Sequence, residues 1–198
     1  MWRGSTVRSD ARQNQERLLD VTVGLIVEVG GEPTRDSIAA RAATGIGTVY
    51  RHFPDRQSLL HAAARHALER TISAGEVIVT DADSVDALRQ YMHAAIDNGI
   101  GAVNIIHPLL EDTDWPDLQA RAESLLSALI ERNRQDHPLR ADLSLADIVF
   151  ATIRFGRPLA IGLPPADDRD IAHRQLDRYI DGLSTNPPSR RSGKKTRA

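Results

Sequence analysis

The residues best suited to chemistry lie between Thr34 and Arg56, in TRDSIAARAATGIGTVYRHFPDR, and their chemistry is that of gripping a polyanion. Ile46, Gly47, Thr48, Tyr50, Arg51 and His52 fall on one side of a short helical stretch whose other side carries Val49 and Phe53 at i, i+4 spacing. Arg, His and the hydroxyls of Thr and Tyr donate to phosphate oxygens, and small residues at the N-terminal end of a helix let its backbone approach base edges. A helix about 10 Å wide fits the major groove of B-DNA. Arg35 and Gly45, at the starts of the two short helices of this stretch, complete the inner part of the candidate DNA-binding set.

Bond-breaking chemistry finds no comparable constellation. His61 and His66 are five apart and lack an HExxH pattern, so no zinc site is expected. GxSxG, P-loop and strand-borne GxGxxG patterns are absent. Glu111, Asp112, Asp114 and Asp117 form one acidic run without a partner base, as a solvated loop does. The expectation is therefore a protein that is not an enzyme, with no catalytic residues, no metal and no cofactor.

The elements that position the Thr34–Arg56 residues can be read from the same stretch. Thr34 is placed to cap a helix whose Ile38, Ala39 and Ala42 share a face, Ala43, Thr44 and Gly45 interrupt it, and Pro54 with Asp55 ends the second helix and starts the next. Upstream, Leu18, Leu19, Thr22, Val23, Ile26 and Val29 form a helical stripe closed by Gly30 and Gly31, which predicts a helix packed behind the pair. Downstream, Leu59, Leu60, Ala63, Ala64, Ala67, Leu68 and Ile72 predict a long helix running out of this unit as a lever.

The segment GIGTVYRHFPDR resembles the recognition helix of TetR-family repressors, whose pattern is a turn glycine, a small residue, Gly-Thr-Leu/Val-Tyr-x-His-Phe, a helix break and a Lys or Arg. The resemblance covers roughly Glu16 to Leu68. It implies that Thr34, Tyr50, His52 and Arg56 reach phosphates and that Gly47 and Thr48 lie against base edges. Two positions depart from the pattern: Ala43 stands where Gly is usual and Thr44 where a buried Val is usual. Ala at positive φ costs about 1 kcal/mol and a buried hydroxyl needs a partner, so a turn less rigid or differently shaped is expected.

Composition sets outer limits. The 198 residues are 41% hydrophobic, and no apolar run approaches the roughly 20 residues that a bilayer span requires. Met1 to Arg17 lacks the apolar core of a signal peptide, and the absence of cysteine excludes disulfides and thiolate zinc sites. A cytoplasmic, non-membrane protein is expected. The net charge of −2 conceals an asymmetry: residues 1–70 carry 10 Arg against 8 acidic residues, residues 71–183 carry 10 Arg against 19, and residues 184–198 carry 5 basic and no acidic ones. The Thr34–Arg56 segment thus lies in the positive part of the folded chain, and the remainder is acidic enough to stay off phosphate.

Beyond Gly75 the sequence gives further helices and only one short ambiguous strand, EVIVT at 76–80. Ser84 is a candidate cap for a helix bearing Val85, Leu88, Met92, Ala95 and Ile96; an apolar segment spans Ala102 to Leu110; Pro116 opens a helix ending before Pro138. Ser144 caps a helix ending near Arg157, and Asp168 to Leu183 forms the last one. The expected fold is all-α: a flexible arm (1–12), a helix-turn-helix domain (13–56), a larger helical domain (57–183) and a disordered basic tail (184–198). The family resemblance implies a homodimer on double-stranded DNA with a palindromic operator, with its dimer surface on the last two helices through Ile148, Val149, Thr152, Leu176, Tyr179, Ile180 and Leu183. It also implies a small-molecule effector, and Tyr91, Met92, His93, His107, Trp115, Phe150 and Arg154 are the candidate ligand-binding residues. The competing reading is a helical small-molecule-binding protein or enzyme in which the helix-turn-helix serves only for packing.

Overall fold

A computed structural model describes residues 4–81, 86–136, 139–140, 142–159 and 162–183. The described elements are helices α1 (Gly4–Val29), α2 (Arg35–Arg41), α3 (Ile46–His52), α4 (Arg56–Thr80), α5 (Ala87–Asp97), α6 (Ile100–Ile106), α7 (Pro116–Asp136), α8 (Leu145–Gly156) and α9 (Pro165–Leu183), with a 3-10 turn at His107–Leu109 after α6. The tail 184–198, Met1 to Arg3, Ser84 with Val85, and Pro138 lie outside the described residues. No helix among the described residues is long and apolar enough to cross a membrane.

Helix starts follow local chemistry. Thr34 Oγ1 accepts from the Ser37 amide at 3.1 Å, and Asp55 accepts from the Ser58 amide at 2.6 Å while Ser58 Oγ accepts from the Asp55 amide. These contacts satisfy amides that have no partner inside a helix. Ser144 and Asp147 make the same reciprocal box at the start of α8. Three sequence expectations change. Residues 4–12, expected as an arm, continue α1; EVIVT at 76–80 completes α4; and α9 begins at Pro165, ahead of Asp168. EVIVT is β-branched, but Ile72 and Gly75 of the preceding turns are already buried, and extending α4 costs less than starting a new element.

Apolar side chains gather into two cores. The first joins Leu18, Val23 and Ile26 of α1, Ile38 and Ala42 of α2, Val49 and Phe53, and Leu59 to Ala67 of α4, and it also takes Ala102 and Ile106 from α6. The second joins Ile72, Leu88, Met92, Leu125, Leu129, Ile148, Leu176 and Ile180 from α4, α5, α7, α8 and α9. Trp115 packs against both. The apolar Ala102–Leu110 segment, which contains the ligand candidate His107, belongs mainly to the first core. It is held there by backbone proximity: a Cβ on Gly101 would lie 1.9 Å from the Gly156 carbonyl oxygen, so α6 meets the end of α8 at a contact only glycine permits.

Of the residues expected at a dimer surface, Ile148, Thr152, Leu176, Ile180 and Leu183 are buried within the chain, and Val149 and Tyr179 are half-buried. They fill the second core. The outward apolar side chain of α8 is Phe150, which is 66% exposed.

Candidate nucleic-acid interface and interior cavity

The turn between α2 and α3 fixes where α3 points. Ala43 adopts φ 50°, and the Ala43 and Thr44 amides donate to the Ala40 and Ala39 carbonyls, which closes α2 in a left-handed turn. Ala43 therefore takes the conformation for which glycine is suited, and Thr44, only half-buried, keeps its hydroxyl near solvent. Gly45 caps α3 from an extended conformation with no side chain over the helix start.

Val49 and Phe53 anchor α3 inward, fully buried. Ile46 (39% exposed) and Tyr50 (48% exposed) then project outward one turn apart, beside Gly47, where an added Cβ would meet nothing within 4 Å. Arg51 folds back along the helix, donating to the Gly47 carbonyl at 3.2 Å and to Thr48 Oγ1 at 3.0 Å. The Arg35 guanidinium lies 4.9 Å from the centre of the Tyr50 ring, a cation–π contact that ties α2 to α3. Thr34 and His52 complete a surface in which none of the ten sequence-derived residues is buried.

Two of the basic residues here are held by carboxylates. Arg56 Nε donates to both oxygens of Glu32 at 2.8 and 3.1 Å, and Arg41 makes a two-pronged pair with Glu28 at 2.9 and 3.0 Å. Arg41 holds the Glu28 carboxyl below its ordinary range. Glu28 and Glu32 were not singled out from sequence; an acidic residue in the last turn of α1, or just past it, carries no signal of a partner that is 13 or 24 positions away.

An interior cavity of about 220 Å³ opens in the second core. Leu68, Thr71 and Ile72 of α4 form one wall, Tyr91 and Ala95 of α5 with Ile100 another, and Leu118, Gln119, Ala122 and Leu126 of α7 a third; Val149, Thr152 and Ile153 of α8 close it, with Thr113 and Trp115 at the loop before α7. Thr71 and Thr152 donate their hydroxyl hydrogens to the Ala67 and Ile148 carbonyls at 2.8 and 2.7 Å. Gly75 makes room for the Tyr91 ring, since a Cβ there would sit 2.7 Å from Tyr91 Cδ2. Burial pushes the Tyr91 phenol up to about 12, so it remains a donor.

Among the seven expected ligand-binding residues, only Tyr91 and Trp115 line this cavity. Met92 is fully buried in the core beside it. His93 turns to α9, stacked on His173 with ring centres 4.8 Å apart and with Nε2 2.9 Å from Asp177. His107 is exposed on the 3-10 turn, and Phe150 and Arg154 are exposed on the outer side of α8. Among the described residues no group of three His, Asp or Glu side chains could hold a metal ion.

Residues 18–63 match the family model for bacterial regulatory proteins of the tetR family. Over 86% of this chain the fold is similar to that of a TetR transcriptional regulator from Streptomyces coelicolor, with 26% identity, a TM-score of 0.63 and coverage of 98% of that chain. Residues 18–63 are thus similar to the helix-turn-helix unit of tetR-family regulatory proteins. The transcriptional repressor LfrR of Mycolicibacterium smegmatis is 32% identical over 95 residues, which are 48% of this chain and 50% of that protein. The structure of LfrR in complex with proflavine is similar at a TM-score of 0.57 and 26% identity, over 84% of this chain and 96% of that one. The chain aligns with half or less of the length of the relatives that it matches in sequence. As in the resemblance noted from GIGTVYRHFPDR, the sequence match to the TetR family centres on the helix-turn-helix, and the structural match carries it into the second core.

Proposed function

We propose that this chain is a ligand-responsive transcriptional regulator of the TetR repressor type, a homodimer that binds a palindromic DNA operator through α3 and is released by a small molecule held in the cavity. The observation that carries the reading is the outward face of α3. If the helix-turn-helix served only for packing, Ile46 and Tyr50 would be sealed against the rest of the chain, whereas both are exposed around an unobstructed Gly47. In this reading Gly47 and Thr48 meet base edges, while Thr34, Arg35, Tyr50, Arg51, His52 and Arg56 position the helix on phosphates. One such head reads too few base pairs to be selective, and a two-fold dimer doubles the contacts. The exposed Phe150 of α8 supports a dimer surface on that helix.

The test is selection of binding sites from random DNA, followed by salt-dependent binding to the selected site. Arg56→Ala should weaken binding to all sequences and lower the salt slope by about one, whereas Thr48→Ala should change preference among sequences. If neither variant alters DNA binding, α3 is not the reading element. Phe150→Glu should shift the protein towards monomer in sedimentation at micromolar concentration. Trp115→Ala should lose release by an effector while keeping DNA binding.

A further inference from the structure

The cavity described above differs from most polar-rimmed clefts in one respect that bears on what it can hold. None of the side chains lining it carries a charge. Its buried threonines, Thr71 and Thr152, have already committed their hydrogens to helix carbonyls, so they offer lone pairs and no donor. Tyr91 stands apart. Its ring is buried, and among the described residues no hydrogen bond engages its hydroxyl, which is not one of the sealed, unpartnered polar atoms and so stays open to the cavity that the residue lines. A ligand acceptor placed against this uncommitted hydroxyl gains a hydrogen bond within an otherwise apolar lining.

We infer that the cavity takes a small uncharged ligand, apolar over most of its surface, whose single hydrogen-bond acceptor receives the Tyr91 hydroxyl. This rests on the effector reading proposed above and specifies the ligand's class. A cation is disfavoured relative to the neutral ligand: an ammonium or a protonated ring nitrogen would lose hydration and find no carboxylate in the lining, only the rings of Tyr91 and Trp115. The class therefore differs from that of proflavine, a cationic dye, which is bound by the similar protein LfrR. Position and depth are set by the protein. Gly75 seats the Tyr91 ring against α4, so the hydroxyl is fixed before the ligand enters. Trp115 packs against both apolar cores, so a ligand against its ring touches the residue that connects them.

The experiment uses three naphthalenes of matched size on the full chain, measured by calorimetry: 2-acetylnaphthalene, which is neutral with an acceptor; 2-isopropenylnaphthalene, neutral without one; and the 2-naphthyltrimethylammonium cation. The ketone should bind about three- to tenfold more tightly than the hydrocarbon, the range expected of one net hydrogen bond. The cation should bind at least about a hundredfold more weakly than the ketone. Tyr91→Phe should weaken the ketone to the level of the hydrocarbon and leave the hydrocarbon unchanged, and the infrared carbonyl stretch of the bound ketone, lowered by the phenol in the native protein, should return upward. A second variant, Thr152→Val, should preserve the preference for the ketone, since that hydroxyl is committed to Ile148. Equal or tighter binding of the cation, an unchanged ketone affinity in Tyr91→Phe, or failure of both neutral compounds to bind overturns the inference. Operator binding measured on the same preparations separates the two readings: a cation-preferring protein that still binds DNA loses only the ligand class, and a protein that binds neutral ligand but no DNA loses the repressor reading.

Discussion

Replacing Gly101 with alanine places a methyl group where two helices touch through their backbones. The added Cβ would lie 1.9 Å from the Gly156 carbonyl oxygen, 2.6 Å from its carbonyl carbon and 3.1 Å from the Arg157 nitrogen. Carbon–oxygen contacts settle at roughly 3.3 Å or more, so α6 and α8 must part by over an ångström, and no flexible side chain is present to yield instead. Overpacking of this kind costs about 1–3 kcal/mol, and the gap opened beside it forfeits part of the dispersion around Ile96 and Ile100. Alanine's better helix propensity returns only about 0.5–1 kcal/mol. The expected net loss is about 1–2 kcal/mol, which for a chain of this size lowers Tm by about 2–8 °C. Gly24→Ala is the control. Gly24 also lies within a helix, but its added Cβ would meet nothing within 4 Å, so the same chemical change should raise stability by roughly 0.5 kcal/mol. Thermal unfolding followed by circular dichroism reads both. A Gly101→Ala protein as stable as the native one, beside a Gly24→Ala protein that behaves as stated, would refute the claim that α6 is held by this contact.

Three further outcomes follow from the geometry. Ala43→Gly should raise Tm by a few degrees, because relief of the left-handed alanine, about 1–2 kcal/mol, exceeds the added freedom of the unfolded chain, about 0.5–1 kcal/mol. Glu32→Gln should free Arg56 and tighten DNA binding by about two- to fivefold at low salt, an effect that fades as salt rises; polarisation titrations at several salt concentrations check it. Asp55 and Asp147 are held below the ordinary carboxylate range, Asp55 chiefly by the Ser58 amide and Asp147 chiefly by the Ser144 side chain. Because they bind protons more weakly when folded, their contribution is complete above about pH 4 and is lost as pH falls through their lowered values. The difference in urea midpoint between native protein and Asp147→Asn should therefore be constant from pH 7 to pH 5 and shrink below about pH 4.

The helix-turn-helix was legible because its signals are local. Thr34 names a cap, Val49 and Phe53 name an inward face, and Ala43 marks a break, each read within a few residues. The second core was legible as helices but not as facing surfaces. In α8, LADIVFATIRFG is mostly apolar, and its outward face is marked only by Asp147 and Arg154, three before and four after Phe150. That sparse signal separates Phe150 from Val149 and Ile153, which line the cavity, and the sequence reading passed over it. In α5, Tyr91 and His93 are two positions apart and thus point roughly 200° apart around the helix, one into the cavity and the other to His173. Sequence placed both inward. The α4 wall of the cavity, Leu68, Thr71 and Ile72, had one available signal: a threonine within an otherwise aliphatic stripe. Glu32 and Arg56 had none, since the pair is made by tertiary proximity alone.

The first core draws on residues on both sides of the second core's α5, since Ala102 and Ile106 reach it from α6. This makes the reading head a poor candidate for transplantation. A fragment cut after Arg56 would leave behind Leu59, Leu60, Ala63 and Ala64, and even one cut after Thr80 would uncover the seat that Ala102 and Ile106 fill. Chimaeras intended to give this chain a new operator should therefore exchange side chains on α3 in place, or carry α6 along with α1 to α4.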